Sequence, residues 1–178
     1  LEAAETLKGN GPADLVEVVV ALASRLLVLS DLDWNQNQAE AEARERLAAG
    51  SAIAKFREWI TRQGGDASFV EDPAKLPVAS HKLKVPAPQA GWVESIDAFA
   101  IGRAALELGT GRKRKEDKID HSVGIVLRVK VGDRVEAGDE LAVVHAGNTG
   151  AGALASAAIL GAYGFAETHI DPPPVIIS

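Results

Sequence analysis

The chain has 178 residues, 47% of them hydrophobic and 25% charged, a balance that builds a packed core and excludes a disordered polymer. Its 19 Lys and Arg face 25 Asp and Glu, and the net charge of −6 excludes a general electrostatic grip on nucleic acid or anionic lipid. There is no Cys, so disulfides, thiolate metal sites and a Cys nucleophile are excluded, and no apolar run approaches the roughly 20 residues of a membrane helix.

Leu1 to Lys8 reads as helix without a capping residue, and the chain contains no Met. Either the N-terminus is processed or the chain is a piece of a longer protein, and the second reading is the expectation. Gly9-Asn10-Gly11-Pro12 stops this segment, and Pro12 and Asp14 open the next helix. Leu15, Val18, Val19, Leu22, Leu26 and Leu29 repeat at helical spacing. Much of the opposite face is apolar too, which predicts a helix buried on most sides. In an isolated piece, that helix is expected to expose the face on which the rest of its domain packs. A polar stretch, Ser30 to Gln38, precedes an Ala, Glu and Arg-rich helix from Ala39 to Ala49. Ser51 reads as the N-cap of a further helix, with Ile53, Phe56, Trp59 and Ile60 on its core stripe.

Asp72-Pro73, Leu76-Pro77 and Val85-Pro86-Ala87-Pro88 interrupt regular structure three times, which places a boundary near residue 78. Beyond it, Gly91 to Ile96 alternates as a strand, with Trp92 expected to cover a sheet face. Phe99 to Leu108 reads as a short helix ended by Gly109, followed by a basic loop over residues 109 to 122. Val123 to Val129 and Leu141 to His145 read as strands, with Gly132-Asp133 and Gly138-Asp139 as turn pairs. Gly147, Gly150 and Gly152 suggest a flexible connection, Gly150 to Ala162 a small-residue helix, and Val175 to Ile177 a final strand after three prolines.

Three stretches in order carry a family resemblance. They are Glu5-Thr6-Leu7-Lys8-Gly9 with Gly11-Pro12 and Asp14-Leu15; Phe56-Arg57-Glu58 with Gln63-Gly64-Gly65-Asp66, Asp72-Pro73 and Leu76-Pro77; and the long run from Leu108-Gly109-Thr110-Gly111-Arg112 through Lys115-Glu116-Asp117, Ile119-Asp120, Val123-Gly124-Ile125 and Val131-Gly132-Asp133 to His145-Ala146. Together they resemble the C-terminal half of pyrimidine-nucleoside and thymidine phosphorylases. The resemblance implies an α+β fold: residues 1–77 as the helical part of the central α/β domain, and 78–178 as a C-terminal domain of hammerhead or barrel-sandwich type. It implies a cytoplasmic, homodimeric pentosyltransferase that phosphorolyses uridine or thymidine to free base and a (deoxy)ribose 1-phosphate. Inorganic phosphate is then the co-substrate, and no organic cofactor is implied.

The family's phosphate loop and base-holding residues lie upstream of Leu1, so no catalytic residue carries over, and the chain alone is expected to be inactive without the N-terminal half. Some family members bind a potassium-like cation. The matching positions are Leu27 and Ser30 for backbone carbonyls and Glu42 for a carboxylate, with Glu40 as the other register. The alternative for these positions is a capping region with a solvated Glu. In the basic loop, Arg112 is the candidate for a flap over the cleft, while Lys113 and Arg114 read as solvated. The segment after His145-Ala146 departs from the family's usual acidic, polar one.

Residues 123–146 also resemble the biotinyl/lipoyl hairpin, but no Lys stands where that fold carries its prosthetic group. A non-catalytic barrel-sandwich module for assembly or binding therefore stays open as an alternative. So does an archaeal-type nucleoside-monophosphate phosphorylase sharing the C-terminal domain. His81, His121, His145 and His169 lack metal-ligand spacing, and Ser122 and Ser156 lack a nucleophile context.

Overall fold

The computed structural model describes residues 1–30, 33–112 and 114–177. The chain divides into two compact units, Leu1–Lys75 with Pro174–Ser178, and Leu76–Pro173. The tail from Pro174 thus groups with the first unit, whereas the resemblance carried the second domain through to residue 178.

The first unit is helical. Its elements are α1 (Glu2–Leu7), α2 (Ala13–Val28), α3 (Gln36–Ala48) and α4 (Ser51–Arg62), followed by two short 3-10 turns. Val20 of α2 and Ala43 and Leu47 of α3 form the core, with Leu7, Val16, Val19, Ala23 and Ala52 around it. The expectation that α2 is buried on most sides is corrected. Leu22 is 56% exposed, Leu26 69% and Leu29 82%, because α3 covers only one side of α2.

Helix α3 begins three residues before the expected Ala39. Asn35 accepts from the Gln38 N–H at 3.0 Å and Gln38 accepts from the Asn35 N–H at 3.1 Å, a reciprocal capping box. At α4, Ser51 is not the cap. Gly50 holds that position at φ 72°, and the Ser51 hydroxyl donates back to the Arg46 carbonyl at 3.2 Å. Trp59 is 54% exposed rather than a core residue, and its ring centre stands 6.0 Å from that of the half-buried Phe56. The final strand expected over 175–177 is absent, since the described part of this unit has no sheet for it to join. Ile176 instead lines a groove with Val16 and Val20.

The second unit holds two three-stranded antiparallel sheets. One has the order β1 (His81–Pro86), β5 (Glu140–Ala146), β3 (Gly124–Leu127). The other has the order β4 (Arg134–Val135), β2 (Gly91–Ile96), β6 (Tyr163–Ala166). Strand β1 occupies a stretch read from its prolines as irregular. Its Leu83 and Val85 pair with Val144 and Ala142 in the register, and Pro86 falls at a register shift where the ladder ends.

Val85, Val93, Val135, Leu141, Val144 and Tyr163 share one core, so the two sheets close on each other as a small sandwich. The Tyr163 hydroxyl donates to the Leu141 carbonyl at 3.3 Å and joins the sheets through that core. Helices α5 (Ala98–Ala105) and α6 (Thr149–Gly161) add Ala104, Ala155 and Ile159. The chain is therefore an α+β protein.

The glycines after β5 are not a flexible connection. Asn148 accepts from the Ala151 N–H at 2.8 Å and caps α6, which places Gly150 and Gly152 inside the helix. A Cβ on Gly152 would lie 2.6 Å from Leu83 Cδ1 and 3.2 Å from Ala146 Cβ, so glycine lets α6 lie directly on the first sheet.

The two expected turn pairs have the same construction. Gly132 and Gly138 both sit at φ 94°, the third position of a type II turn. Asp133 N–H donates to the Lys130 carbonyl at 3.1 Å, and Lys130 N–H donates to Asp133 Oδ2 at 2.7 Å. Asp139 and Glu136 repeat this at 3.1 and 2.8 Å. They differ in surroundings. A Cβ on Gly132 meets Pro172 at 3.0 Å, while one on Gly138 meets nothing within 4 Å. Gly138→Ala is expected to cost about 1 kcal/mol from the left-handed backbone alone. Gly132→Ala is expected to cost about 2–3 kcal/mol because the Pro172 contact must also shift. Urea unfolding midpoints measure both, and equal losses would show that the Pro172 contact carries no stability.

Candidate functional site

In the first unit, two of the candidate positions, Leu27 and Glu42, line a groove of about 550 Å³ between α2 and α3. Leu26, Leu27, Trp34, Glu42 and Arg46 line it, over an apolar floor that includes Val20 and Leu47. The alignment of the two helices is set by Ser24, which is fully buried. Its hydroxyl donates to the Ala21 carbonyl at 3.1 Å and accepts from Gln36 Nε2 at 2.8 Å. With the capping box, this link fixes where Glu42 stands relative to Leu27. The sequence signal for the box is the Asn35-x-x-Gln38 spacing.

The Leu27 carbonyl is the last-turn acceptor for the Ser30 N–H at 3.1 Å and the Ser30 hydroxyl at 2.6 Å. Glu42 Oε1 accepts from Arg46 Nε at 2.6 Å. Glu42 and Leu27 therefore share one groove. Glu40 does not: it pairs with Arg44 at 2.8 Å and lines the opposite groove with Arg25. Among the described residues, no three His, Asp or Glu side chains cluster to hold a metal ion. A cation here would depend on carbonyl oxygens with Glu42 as the single carboxylate. Such a donor set suits a hard monovalent ion better than a transition metal.

In the second unit, the basic loop is closed at its neck. Helix α5 ends in a π-helical turn, Leu106–Thr110, with Gly109 at φ 110°. The Asp120 N–H donates to the Gly109 carbonyl at 3.0 Å, so residues 109 and 120 meet and the loop between them is an Ω-loop. Ser122 pins the neck from its far side. Its hydroxyl and N–H donate to Asp120 Oδ1 at 2.6 and 2.9 Å, and they hold the Asp120 carboxyl below its ordinary range. This is a structural role for Ser122, in keeping with its lack of a nucleophile context.

Within the loop, Arg114 is tied to Asp117. Its N–H donates to Asp117 Oδ2 at 2.8 Å, and its carbonyl accepts from the Asp117 N–H at 3.1 Å. Arg112 precedes this knot, exposed, next to the extended backbone of Gly111. Lys113 lies outside the described residues. The structure thus distinguishes the two arginines by backbone context.

Elsewhere in this unit, Trp92 stands edge-on to His169 with ring centres 4.4 Å apart, and His169 Nε2 is 3.0 Å from Asp171 Oδ1. Trp92 thus covers its sheet face beneath a histidine. His145, at the end of β5, has its pKa lowered by burial and then by the nearby Lys82 and Arg128 cations. The unfolded chain therefore binds a proton on His145 more readily than the folded one. The stability from neutral His145 is complete above the unfolded value of about 6.5 and falls as the pH drops through it. Melting temperature is expected to fall between pH 7.5 and 5.5, and His145→Gln to fall less over that window. An identical pH dependence in both proteins would remove His145 as the cause.

Residues 92–165 match a family profile described as the pyrimidine nucleoside phosphorylase C-terminal domain. The chain is also similar to curated full-length proteins. It is 48% identical over 145 residues to the pyrimidine-nucleoside phosphorylase of Bacillus subtilis strain 168, covering 82% of this chain and 34% of that protein. It is 42% identical over 144 residues to the enzymes of that name from Staphylococcus epidermidis ATCC 12228 and Staphylococcus aureus USA300, covering 81% of this chain and 33% of each. The chain spans about a third of the length of these relatives.

Proposed function

Because the chain belongs to the pyrimidine-nucleoside phosphorylase family through its C-terminal domain, we propose that it serves as the C-terminal portion of a cytoplasmic, homodimeric pentosyltransferase acting on uridine or thymidine. The observation that carries this reading is the 48% identity over 145 residues, which runs well beyond the 92–165 domain match. In the proposed reaction, phosphate attacks the anomeric carbon, the glycosidic bond breaks, and the base leaves with the bonding pair. Binding the phosphate and stabilising the departing base need backbone N–H groups, hydroxyls and cations aimed at developing charge. This chain is not assigned those groups.

Its own share of the work is support. The α2–α3 pair would form part of the domain that carries the cleft. The exposed Leu22, Leu26 and Leu29 would be covered by the rest of that domain. The carbonyls of Leu27 and Ser30 and the Glu42 carboxylate would contribute to a potassium-class site. The support is the groove that Leu27 and Glu42 both line, in which Arg46 pairs with Glu42. A bound cation there would supply fixed positive charge and hold the α2 terminus in place. Arg112 would act from the first limb of a flap closed at its base by the Gly109–Asp120 neck.

A chimera tests the reading. This chain replaces the matching third of the Bacillus subtilis relative, and release of uracil and thymine is followed by ultraviolet absorbance. Phosphate-dependent release from the chimera, with none from the chain alone, is the expected result. A folded chimera without release would refute the assignment. In the same chimera, Arg112→Ala is expected to lower turnover roughly tenfold and Arg114→Ala less than twofold. Equal rates would remove the flap. Glu42→Gln is expected to abolish the response of melting temperature to potassium over sodium, whereas Glu40→Gln should preserve it.

A further inference from the structure

We propose that Asn10 is a site of spontaneous covalent change, in which the Gly11 backbone nitrogen displaces ammonia from the Asn10 side-chain amide and water opens the resulting ring to aspartate or isoaspartate. Helix α1 closes on a Schellman motif that ends at this dipeptide. Gly9 turns at φ 88°, its N–H donates to the Thr6 carbonyl at 3.0 Å, and the Asn10 N–H donates to the Glu5 carbonyl at 2.8 Å. The next N–H, that of Gly11, has no acceptor among the described residues. It is the nucleophile the ring closure needs, and Asn10 beside it is exposed to water. The fold also dictates the glycine. A Cβ on Gly11 would lie 2.6 Å from Thr6 Cα and closer still to the Thr6 hydroxyl. Thr6 is held there, 2% exposed, with its hydroxyl donating to the Glu2 carbonyl at 2.9 Å. Position 11 therefore stays without a side chain, and its nitrogen is never shielded by one.

The other asparagines, Asn35, Asn37 and Asn148, precede Gln36, Gln38 and Thr149, whose side chains crowd the same attack. In the first step at Asn10, the Gly11 nitrogen gives its proton to hydroxide and bonds to Cγ. The Cγ–Nδ2 bond breaks, and the departing nitrogen keeps the bonding pair, takes a proton from water and leaves as ammonia. In the second step, water adds to one carbonyl of the ring: opening at Cγ gives aspartate, and opening at the main-chain carbon gives isoaspartate. Both products set a new carboxylate beside Glu5, which pairs with Lys8 at 2.9 Å and whose carboxyl Lys8 and then the Asn10 amide hold below its ordinary range. Isoaspartate also adds one carbon to the chain path between α1 and Gly11, where the contact with buried Thr6 leaves no slack. The change is thus one-way and loosens α1. Leu7 at the end of α1 lines the groove of Leu27 and Glu42, so the loosening reaches that groove. None of this depends on the phosphorylase reading, since no substrate enters it.

Incubation of the whole folded chain at pH 8.5 tests the proposal, with tryptic peptides read by mass spectrometry over time and circular dichroism to verify folding. The peptide of residues 9–25 carries Asn10 as its single asparagine. Amide loss at Asn10 is expected to run roughly tenfold or more faster than at Asn35, Asn37 or Asn148, because attack geometry sets the rate. It should yield two chromatographically separate acids and lower the melting temperature in step. Asn10→Gln keeps an amide beside Glu5 but would have to close a larger ring, so its melting temperature should hold through the same incubation. Three results would overturn the proposal: an intact Asn10 amide while the free peptide Gly-Asn-Gly-Pro converts; amide loss at Asn10 only after urea has unfolded the chain; or the same fall in melting temperature for Asn10→Gln.

Discussion

Strand β5 is the constraint on which the second unit depends. Leu141, Ala142, Val144 and Ala146 are fully buried, and the strand is paired on both edges, by β1 and β3. Over Ala142–His145 both ladders run together, so the backbone polar groups of that stretch are committed to pairing. The Tyr163 hydroxyl uses the Leu141 carbonyl to bind the second sheet to the first. A single strand thus fixes three layers: its own sheet, the sheet facing it, and α6, which rests on Leu83 and Ala146 through Gly152. The Ω-loop neck at Asp120 lies beside Gly147, one residue past the end of β5.

The first unit depends on a smaller link. Ser24 and Gln36 join α2 and α3 by a part-buried hydrogen bond, beside the small apolar cluster of Val20, Ala43 and Leu47. Burial of that extent gives a weak core, and the apolar residues left over on α2 are surplus to it. The groove with Leu27 and Glu42 is formed by the same two helices, so whatever covers α2 also fixes the separation of those oxygens.

What the sequence displayed was local chemistry. The Gly-Asp turn pairs, strand β2 and the span of α2 are written in glycine position, alternation and helical spacing. What it concealed was pairing. Strand β1 has an alternating Lys82-Leu83-Lys84-Val85, but Pro86 masks it, and only the register with β5 shows that the proline stands where the ladder stops. Strand β6 is four residues long with a glycine inside, too short to signal without its partner β2. Glu42 and Glu40 are equivalent as residues. Helix phase, set by the Asn35 cap and the Ser24 link, places one beside Leu27 and the other across the helix from it. The burial of α2 was overestimated because periodicity describes which residues align, and says nothing about how much protein lies against them.

The order of strands also governs how the chain is made. β1 finds its partner only when residue 146 has emerged, and β2 is fully flanked only after residue 166. Roughly 80 residues separate the start of β1 from β6, which at about 5–20 residues per second leaves both sheets open for several seconds of synthesis. During that interval, Lys82 and Lys84 along β1, with Pro86 at its end, deter pairing with another nascent chain. Features that look incidental in the finished sandwich thus protect the exposed strand until the ribosome has delivered its neighbours.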